Sequence, residues 1–149
     1  MTVFLRCSML VLLLIAVPQA WGQEAEPPAT LILSITGVAS EEGRVGCILF
    51  NQAEGFPMDR DAALQGQEHP ADPAGVTCRF EGLAPGTYAV AVAHDRNENG
   101  RTDTNFLGIP KESWAVSNNV RPRTRAPRFE EAAIEVGAGE VRTLNLEVR

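Results

Sequence analysis

The sequence predicts a single all-β domain, an antiparallel sandwich, and three observations carry this prediction. Apolar residues alternate with polar or small residues in several short segments, which is the period of a two-faced strand. Turns containing glycine or proline separate most of these segments. The Leu-x-Pro-Gly-x-Tyr sequence at 83–88 then leads into an alternating segment, as in the tyrosine corner of immunoglobulin-like Greek-key sandwiches. A chain of 149 residues has room for one sizeable core.

The first 22 residues have the three parts of a signal peptide. Arg6 provides a positive charge, residues 9–17 an apolar run, and Ala20-Trp21-Gly22 a small-x-small cleavage site. The apolar run is shorter than the ~20 residues that a membrane-spanning helix needs. We therefore predict export to the periplasm or the extracellular space, with no membrane span after cleavage. Polar, proline-containing residues 23–29 are predicted to be a disordered lead-in to a sandwich domain at 30–149.

The predicted strands follow from the alternation, and turn residues bound them. The segment 44–51 is apolar on both faces, which favours a central position in a sheet. Residues near 59–64 break the period of two and are predicted to form a short helical turn capped by Asp59. The polar stretch 66–74 is predicted to be a loop. The predicted strands cover residues 30–36, 44–51, 75–80, 88–93, 132–136 and 141–148.

A long segment without a sustained period lies between two predicted strands, at about 95–131. A connection of this length in a compact domain is either functional or disordered. Its apolar content favours order, so the sequence predicts one long ordered loop. The residues behind this argument are Phe106, Leu107, Ile109, Trp114 and Phe129.

The cysteines and the net charge bound the compartment and the partners. Of three cysteines, Cys7 falls in the predicted signal peptide, which leaves Cys47 and Cys78. An even pair in an oxidising compartment favours a disulfide, and the alternative is two buried free thiols. In an immunoglobulin-type topology the pair would lie on neighbouring strands of one sheet. A net charge of −6 argues against nucleic acid and anionic membranes as partners.

The segment after the predicted fourth strand has the spacing of a calcium loop. Oxygen-bearing residues alternate before Gly100, as Ca²⁺ coordination requires. The twelfth position is Phe106, where a helix–loop–helix site has a bidentate glutamate. The alternative is an Asx-turn network, in which Asp and Asn side chains bind their own backbone without metal. The predicted ligands are Asp95, Asn97, Asn99, the carbonyl of Arg101, and Asp103.

A run of arginines at 121–128 stands out in this acidic chain. Its prolines favour an extended backbone, and guanidinium groups are suited to carboxylates and phosphates. The alternative is a solvated loop whose arginines pair with Glu130 or Glu131. The predicted anion-binding residues are Arg121, Arg123, Arg125 and Arg128.

The sequence contains no convincing catalytic constellation. His94 is predicted to be hydrogen-bonded where a strand meets the long loop, and neither Ser113 nor Ser117 has a nucleophile-elbow motif. We therefore predict a secreted, non-enzymatic binding or structural module, stabilised by Ca²⁺ if the loop binds metal. The alternative is an extracytoplasmic hydrolase that uses loop carboxylates in a cleft. Those carboxylates would be Asp95, Asp103 and Glu112.

Several segments together resemble an uncharacterised family of exported bacterial proteins, domain of unknown function 2141. These segments are 53–57, 82–90, 94–100, 103–112 and 117–119, and the resemblance covers about 30–149. It implies a secreted β-sandwich in the style of transthyretin-like and carboxypeptidase-regulatory-like modules, and it brings no established activity. The predicted partner is an extracytoplasmic protein, a glycan or a small ligand.

Overall fold

A computed structural model describes residues 25–106 and 110–149 of the chain. The predicted signal peptide at 1–22 lies outside the described residues. Residues 25–28 are exposed coil that leads into the first strand, and no helix of the described part is long and apolar enough to cross a membrane. The elements are β1 Ala29–Thr36, β2 Arg44–Phe50, β3 Gln65–Pro70, β4 Val76–Leu83, β5 Gly86–Asp95, β6 Trp114–Val116, a 3-10 turn Ser117–Asn119, α1 Phe129–Ala132, β7 Ile134–Val136 and β8 Val141–Glu147.

The described strands form two sheets, which confirms the predicted β-sandwich. One sheet has the order β4-β1-β8, and the other has the order β3-β2-β5-β6, with β7 paired to the first residues of β5. The predicted central position of β2 is confirmed, because it lies between β3 and β5. One pair departs from the antiparallel prediction: β8 runs parallel to β1. The chain changes sheets between β7 and β8, so β8 is not bound to the hairpin geometry that makes sequential strands antiparallel.

The core lies between the sheets and is built from alternating strand positions. Leu31, Leu33 and Ile35 of β1 face inward, as their spacing predicts, and they are almost completely buried. The facing sheet contributes inward residues from β2 and β5, and β4 and β8 complete the core beside β1. These further residues include Val45, Leu49, Phe80, Val90, Val92 and Leu146.

The predicted disulfide is present, but it connects different strands from those expected. Cys47 on β2 is bonded to Cys78 on β4, with a Cα–Cα distance of 6.6 Å, and both residues are fully buried. The expectation that the two lie on neighbouring strands of one sheet is wrong. Both neighbours of β2 are taken by β3 and β5, whereas β4 pairs with β1, so the disulfide joins the two sheets.

The tyrosine corner fixes the crossing from β4 to β5 and therefore between the sheets. The Tyr88 hydroxyl donates a hydrogen bond to the Ala84 carbonyl over 2.7 Å, as the turn sequence predicts.

The predicted loop at 66–74 is wrong for its first half, which is the edge strand β3. Gln67 donates to the Arg79 carbonyl and accepts from the Arg79 N–H, so its amide replaces a backbone partner along the edge of β4. Gln65 likewise donates to the Glu81 carbonyl over 3.2 Å. Because the residues that bind the other sheet here are amides, the strand has no apolar alternation to reveal it.

The predicted helical turn near 59–64 is a hydrogen-bonded turn without a helix. Its hydrogen bond runs from the Ala63 N–H to the Arg60 carbonyl over 3.3 Å. Asp59 acts as the predicted cap, since its carboxylate accepts the Asp61 N–H at 3.0 Å. The long segment is likewise subdivided, since it contains β6, the 3-10 turn and most of α1.

A second apolar cluster covers part of the outer face of the five-stranded sheet. Phe50 of β2 meets Phe56 edge to face, with ring centroids 5.3 Å apart, and Phe56 meets Phe129 of α1 at 6.0 Å. The cluster lies at the end of the sheet where Phe50 pairs with Ala89.

Candidate functional site

A cleft of about 710 Å³ occupies the outer face of the five-stranded sheet, beside the aromatic cluster. The side chains on its floor are mostly small, because β2 and β5 present Gly46, Ala91 and Ala93 there. Ile48 and Val116 are the larger residues of the floor. The cleft is bounded on one side by the turn 57–61, on the other by residues 122–127, and at one end by residues 100–102.

The end of the cleft is formed by the predicted calcium loop, which is closed by its own hydrogen bonds. The Asp95 carboxylate accepts the N–H of Asn99 at 3.3 Å and of Gly100 at 2.7 Å. The Asp103 carboxylate accepts the side-chain amides of Asn97 at 2.7 Å and Asn99 at 2.9 Å. Gly100 has a φ of 73°, a left-handed conformation that glycine adopts without a steric penalty.

These contacts are those of the Asx-turn network. The amide oxygens are engaged as well, because Asn97 accepts the Asn99 N–H at 3.2 Å and Asn99 accepts the Arg101 N–H at 2.8 Å. Within 25–106 and 110–149, no three His, Cys, Asp or Glu side chains are grouped as a metal site would need. Calcium binding stays a prediction, since the cation would have to replace these donors.

Glu112, which lies outside this loop in sequence, also holds its backbone. Its carboxylate accepts the N–H of Arg96 at 3.2 Å and the N–H of Asp103 at 3.1 Å. All three carboxylates proposed for a hydrolase, Asp95, Asp103 and Glu112, thus accept hydrogen bonds from the loop itself. Their geometry supports the shape of the loop and gives no support to acid–base chemistry.

His94 and Ser117 are both fully buried and each has a structural partner. The His94 Nε2–H donates to the Glu42 carbonyl over 2.7 Å, so its predicted hydrogen bond at the strand–loop junction is confirmed. The Ser117 hydroxyl accepts the Val90 N–H, and Val90 lies four positions before His94 on β5. At about 3.4 Å per strand residue, about 14 Å of β5 separates the Val90 contact of Ser117 from His94, which is too far for a serine–histidine pair.

The four predicted anion-binding arginines have different environments. Arg121 lies over the Trp114 ring, 4.4 Å from its centroid, and donates to the Trp114 and Arg149 carbonyls. Burial is the main cause that lowers the Arg121 pKa. This arginine therefore clamps β6 to the last residue of the chain and is not available to a ligand.

Arg125 and Arg128 both serve the start of α1. Arg125 donates twice to the Glu131 carboxylate, over 2.8 and 2.6 Å. The Arg125 hydrogen bond, with help from the Arg128 N–H, lowers the pKa of Glu131 to about 2. Arg123 also lines the cleft, but it makes no hydrogen bond or ion pair with any described residue.

The turn on the opposite wall contributes a further arginine with a fixed place. Arg60 donates to the Glu68 carboxylate at 2.6 Å and to the Gly100 carbonyl at 3.2 Å, so it ties the turn to the loop at the end of the cleft. It passes over Gly46, where a Cβ would lie 3.0 Å from its nitrogen. The Arg101 side chain, which also lines the cleft, has no partner among the described residues.

The family comparison identifies an uncharacterised family and brings no activity. A model of the uncharacterised protein family conserved in bacteria, DUF2141, matches residues 33–144. The chain belongs to this family. No curated protein matches it closely enough to count as a relative.

Solved structures with some likeness come from a pilus-presented adhesin, Spy0125 (Cpa). One is 16% identical, with a TM-score of 0.33, and covers 83% of this chain and 26% of that chain. A cysteine-to-alanine mutant of the adhesin is 14% identical, with a TM-score of 0.31, and covers 83% and 27%. This chain thus spans about a quarter of the adhesin's length.

The Ser-Asn-Asn segment, one of those that carry the family resemblance, is a structural junction. Ser117 donates to the Ala132 carbonyl of α1, and Asn118 donates to the Ala133 carbonyl at 3.0 Å. Asn119 donates to the Asn145 carbonyl and accepts the Glu147 N–H, so it occupies the edge of β8 as a strand would. The three side chains connect both sheets and the short helix.

Sequence reasoning missed several residues that shape the cleft. The sequence predicts a role for the Arg101 carbonyl but none for its side chain, and in the turn 57–61 it predicts only the helix cap Asp59. In the sequence, the small residues Gly46, Ala91 and Ala93 alternate with the larger apolar residues of their strands. That pattern indicates a sheet face with room above it, which is the signal that could have pointed to the cleft.

Proposed function

We propose that this protein is an extracytoplasmic binding module whose cleft takes a small organic anion with carboxylate groups. The observation that carries the proposal is the pair of cleft arginines, Arg101 and Arg123, whose guanidinium groups have no partner among the described residues. A guanidinium group matches a carboxylate in charge and in its planar pair of donors.

The shape of the cleft supports a small ligand over a protein or glycan surface. Its volume of about 710 Å³ falls within the ~300–1,000 Å³ of small-molecule sites. The floor is largely apolar, with Ile48, Trp114 and Val116 among small residues, and a few polar groups surround it. Such a site gains affinity from apolar burial and orientation from its charged groups.

The other arginines of the cleft are already committed. Arg60 and Arg44 face the Glu68 carboxylate at 2.6 and 3.6 Å, and Arg125 is bound to Glu131. In a chain with a net charge of −6, two unpaired cations at one site are the groups that would hold an anion. The extracytoplasmic placement is supported by the inter-sheet disulfide and the predicted signal peptide.

Citrate is a suitable first probe, and binding can be followed by calorimetry and by the fluorescence of Trp114, which lines the cleft. We expect saturable binding that weakens at high salt and falls about tenfold or more in Arg123→Gln, since a charged hydrogen bond contributes ~1.5–3 kcal/mol. Arg128→Gln is the matched control, because Arg128 belongs to the same run and lies outside the cleft. Equal loss in both variants, or no saturation at millimolar citrate, would overturn the proposal.

A further inference from the structure

We propose that the natural ligand is dipolar and is a short peptide with free termini, held with its carboxylate at Arg123 and its ammonium group at Asp59 and Asp61. This inference rests on the proposed function, because it assigns a second charged contact within the same cleft.

The acidic side chains lie across the cleft from the arginine segment. The turn 57–61 connects β2 to β3, at one side of the sheet, whereas residues 122–127 follow β6, at the other side. The sheet order is β3-β2-β5-β6. Two strand spacings of about 4.8 Å separate β2 from β6, so the strands from which the two walls continue are about 10 Å apart. An extended chain of about three or four residues spans such a distance.

The acidic wall has free charge to offer. Asp61 makes no side-chain hydrogen bond or ion pair with any described residue. Asp59 uses one carboxylate oxygen, Oδ1, to accept the Asp61 N–H at 3.0 Å. Arg60 lies between them in sequence but is directed to Glu68 and Gly100, so it does not neutralise them.

The same arrangement disfavours an extended ligand that carries a carboxylate at both ends. A dicarboxylate that reached both walls would place one negative charge beside Asp59 and Asp61, and like charges at close range are repelled. A cationic group at that end is attracted instead. The floor between the walls presents Ile48, Ala91 and Val116, which suit small apolar side chains.

Tetra-alanine with free termini and two capped forms of it test the inference on the intact, disulfide-bonded protein. N-acetylation removes only the ammonium charge, and C-amidation removes only the carboxylate charge. We expect each cap to weaken binding about tenfold. Asp61→Asn should weaken binding of the free peptide by a similar factor. It should leave binding of the acetylated peptide unchanged, because that peptide already lacks the ammonium charge with which Asp61 would interact.

Arg123→Gln should show the reverse dependence, with a loss for the free and acetylated peptides and none for the amidated one. Thermal unfolding of both variants checks that the fold is intact, and both positions are exposed. If acetylated and free peptides bind equally while amidation abolishes binding, the dipolar inference fails and the anion site stands. If no peptide binds but citrate does, the peptide assignment is overturned. If neither binds, the proposed function fails as well.

Discussion

Replacing Ser117 by alanine tests whether the Ser-Asn-Asn segment is a structural junction or part of a reactive site. The Ser117 hydroxyl accepts the Val90 N–H at 3.0 Å and donates to the Ala132 carbonyl. Val90 lies where β5 changes partners on one side, since β7 pairs as far as Tyr88 and β6 begins at Ala91. The hydroxyl therefore fills a gap in the hydrogen-bond ladder.

The magnitude follows from what the alanine variant leaves behind. Two backbone groups lose their partners in a fully buried place, and each unsatisfied buried group costs about 1–3 kcal/mol. With some relaxation we expect a loss of about 2–4 kcal/mol in the free energy of unfolding. For a domain of this size, 1 kcal/mol corresponds to about 3–4 °C, so Tm should fall by roughly 6–16 °C.

Thermal unfolding by circular dichroism measures this change, with Ser113→Ala as the control. Ser113 is half-buried and its hydroxyl makes no hydrogen bond with the described residues. Its replacement should therefore change the free energy of unfolding by no more than about 0.5 kcal/mol. A fluorophosphonate probe should leave the native protein unlabelled, because Ser117 is inaccessible. If Ser117→Ala lowered Tm by less than about 2 °C, as little as the control does, the argument would be refuted.

Three further predictions concern the disulfide, the acid response and metal. Reducing the bond between Cys47 and Cys78, separated by 31 positions, should cost about 3.5–4 kcal/mol and lower Tm by about 10–16 °C; a fall under 3 °C with both thiols titrated would contradict this. Arg125 lowers the pKa of Glu131 from 4.5 to about 2, so the stabilisation from ionised Glu131 is complete above pH 4.5 and is lost as pH falls towards 2. The difference in unfolding free energy between wild type and Glu131→Gln should therefore shrink across that window. A difference independent of pH would count against the ion pair. Because the loop oxygens already have donors, unfolding in EDTA and in millimolar Ca²⁺ should coincide; a Ca²⁺-selective rise that Asp95→Ala abolishes would establish the metal site.

Much of the fold could be predicted because it follows from the alternation of apolar residues and from one turn motif. β1 presents its buried residues at every second position, and Tyr88 marks the crossing between sheets. β3 was missed because glutamine side chains, and not apolar ones, bind the facing sheet. The placement of the disulfide was wrong because pairing of β4 with β1 is a long-range choice that local pattern does not encode.

The site was harder to predict because its parts are distant in sequence. Arg123 and Asp61 belong to segments with no recognisable common motif, and they share a cleft only because β2, β5 and β6 lie side by side. The calcium spacing and an Asx-turn network use the same residue types, so sequence alone left both open. The hydrogen bonds of Asp95 and Asp103 now favour the network.

The charged residues of this protein divide by whether the fold already uses them. Asp95, Glu112 and Arg121 are occupied in holding the long segment in place, and Arg125 in anchoring α1. Exposed charges without a structural partner are common, so one alone indicates little. Here Arg101, Arg123 and Asp61 all line the same partly apolar cleft, and Arg123 and Asp61 belong to segments at different sides of the sheet. That convergence is what a complementary ligand requires, and substitutions at these positions should change affinity while leaving stability intact.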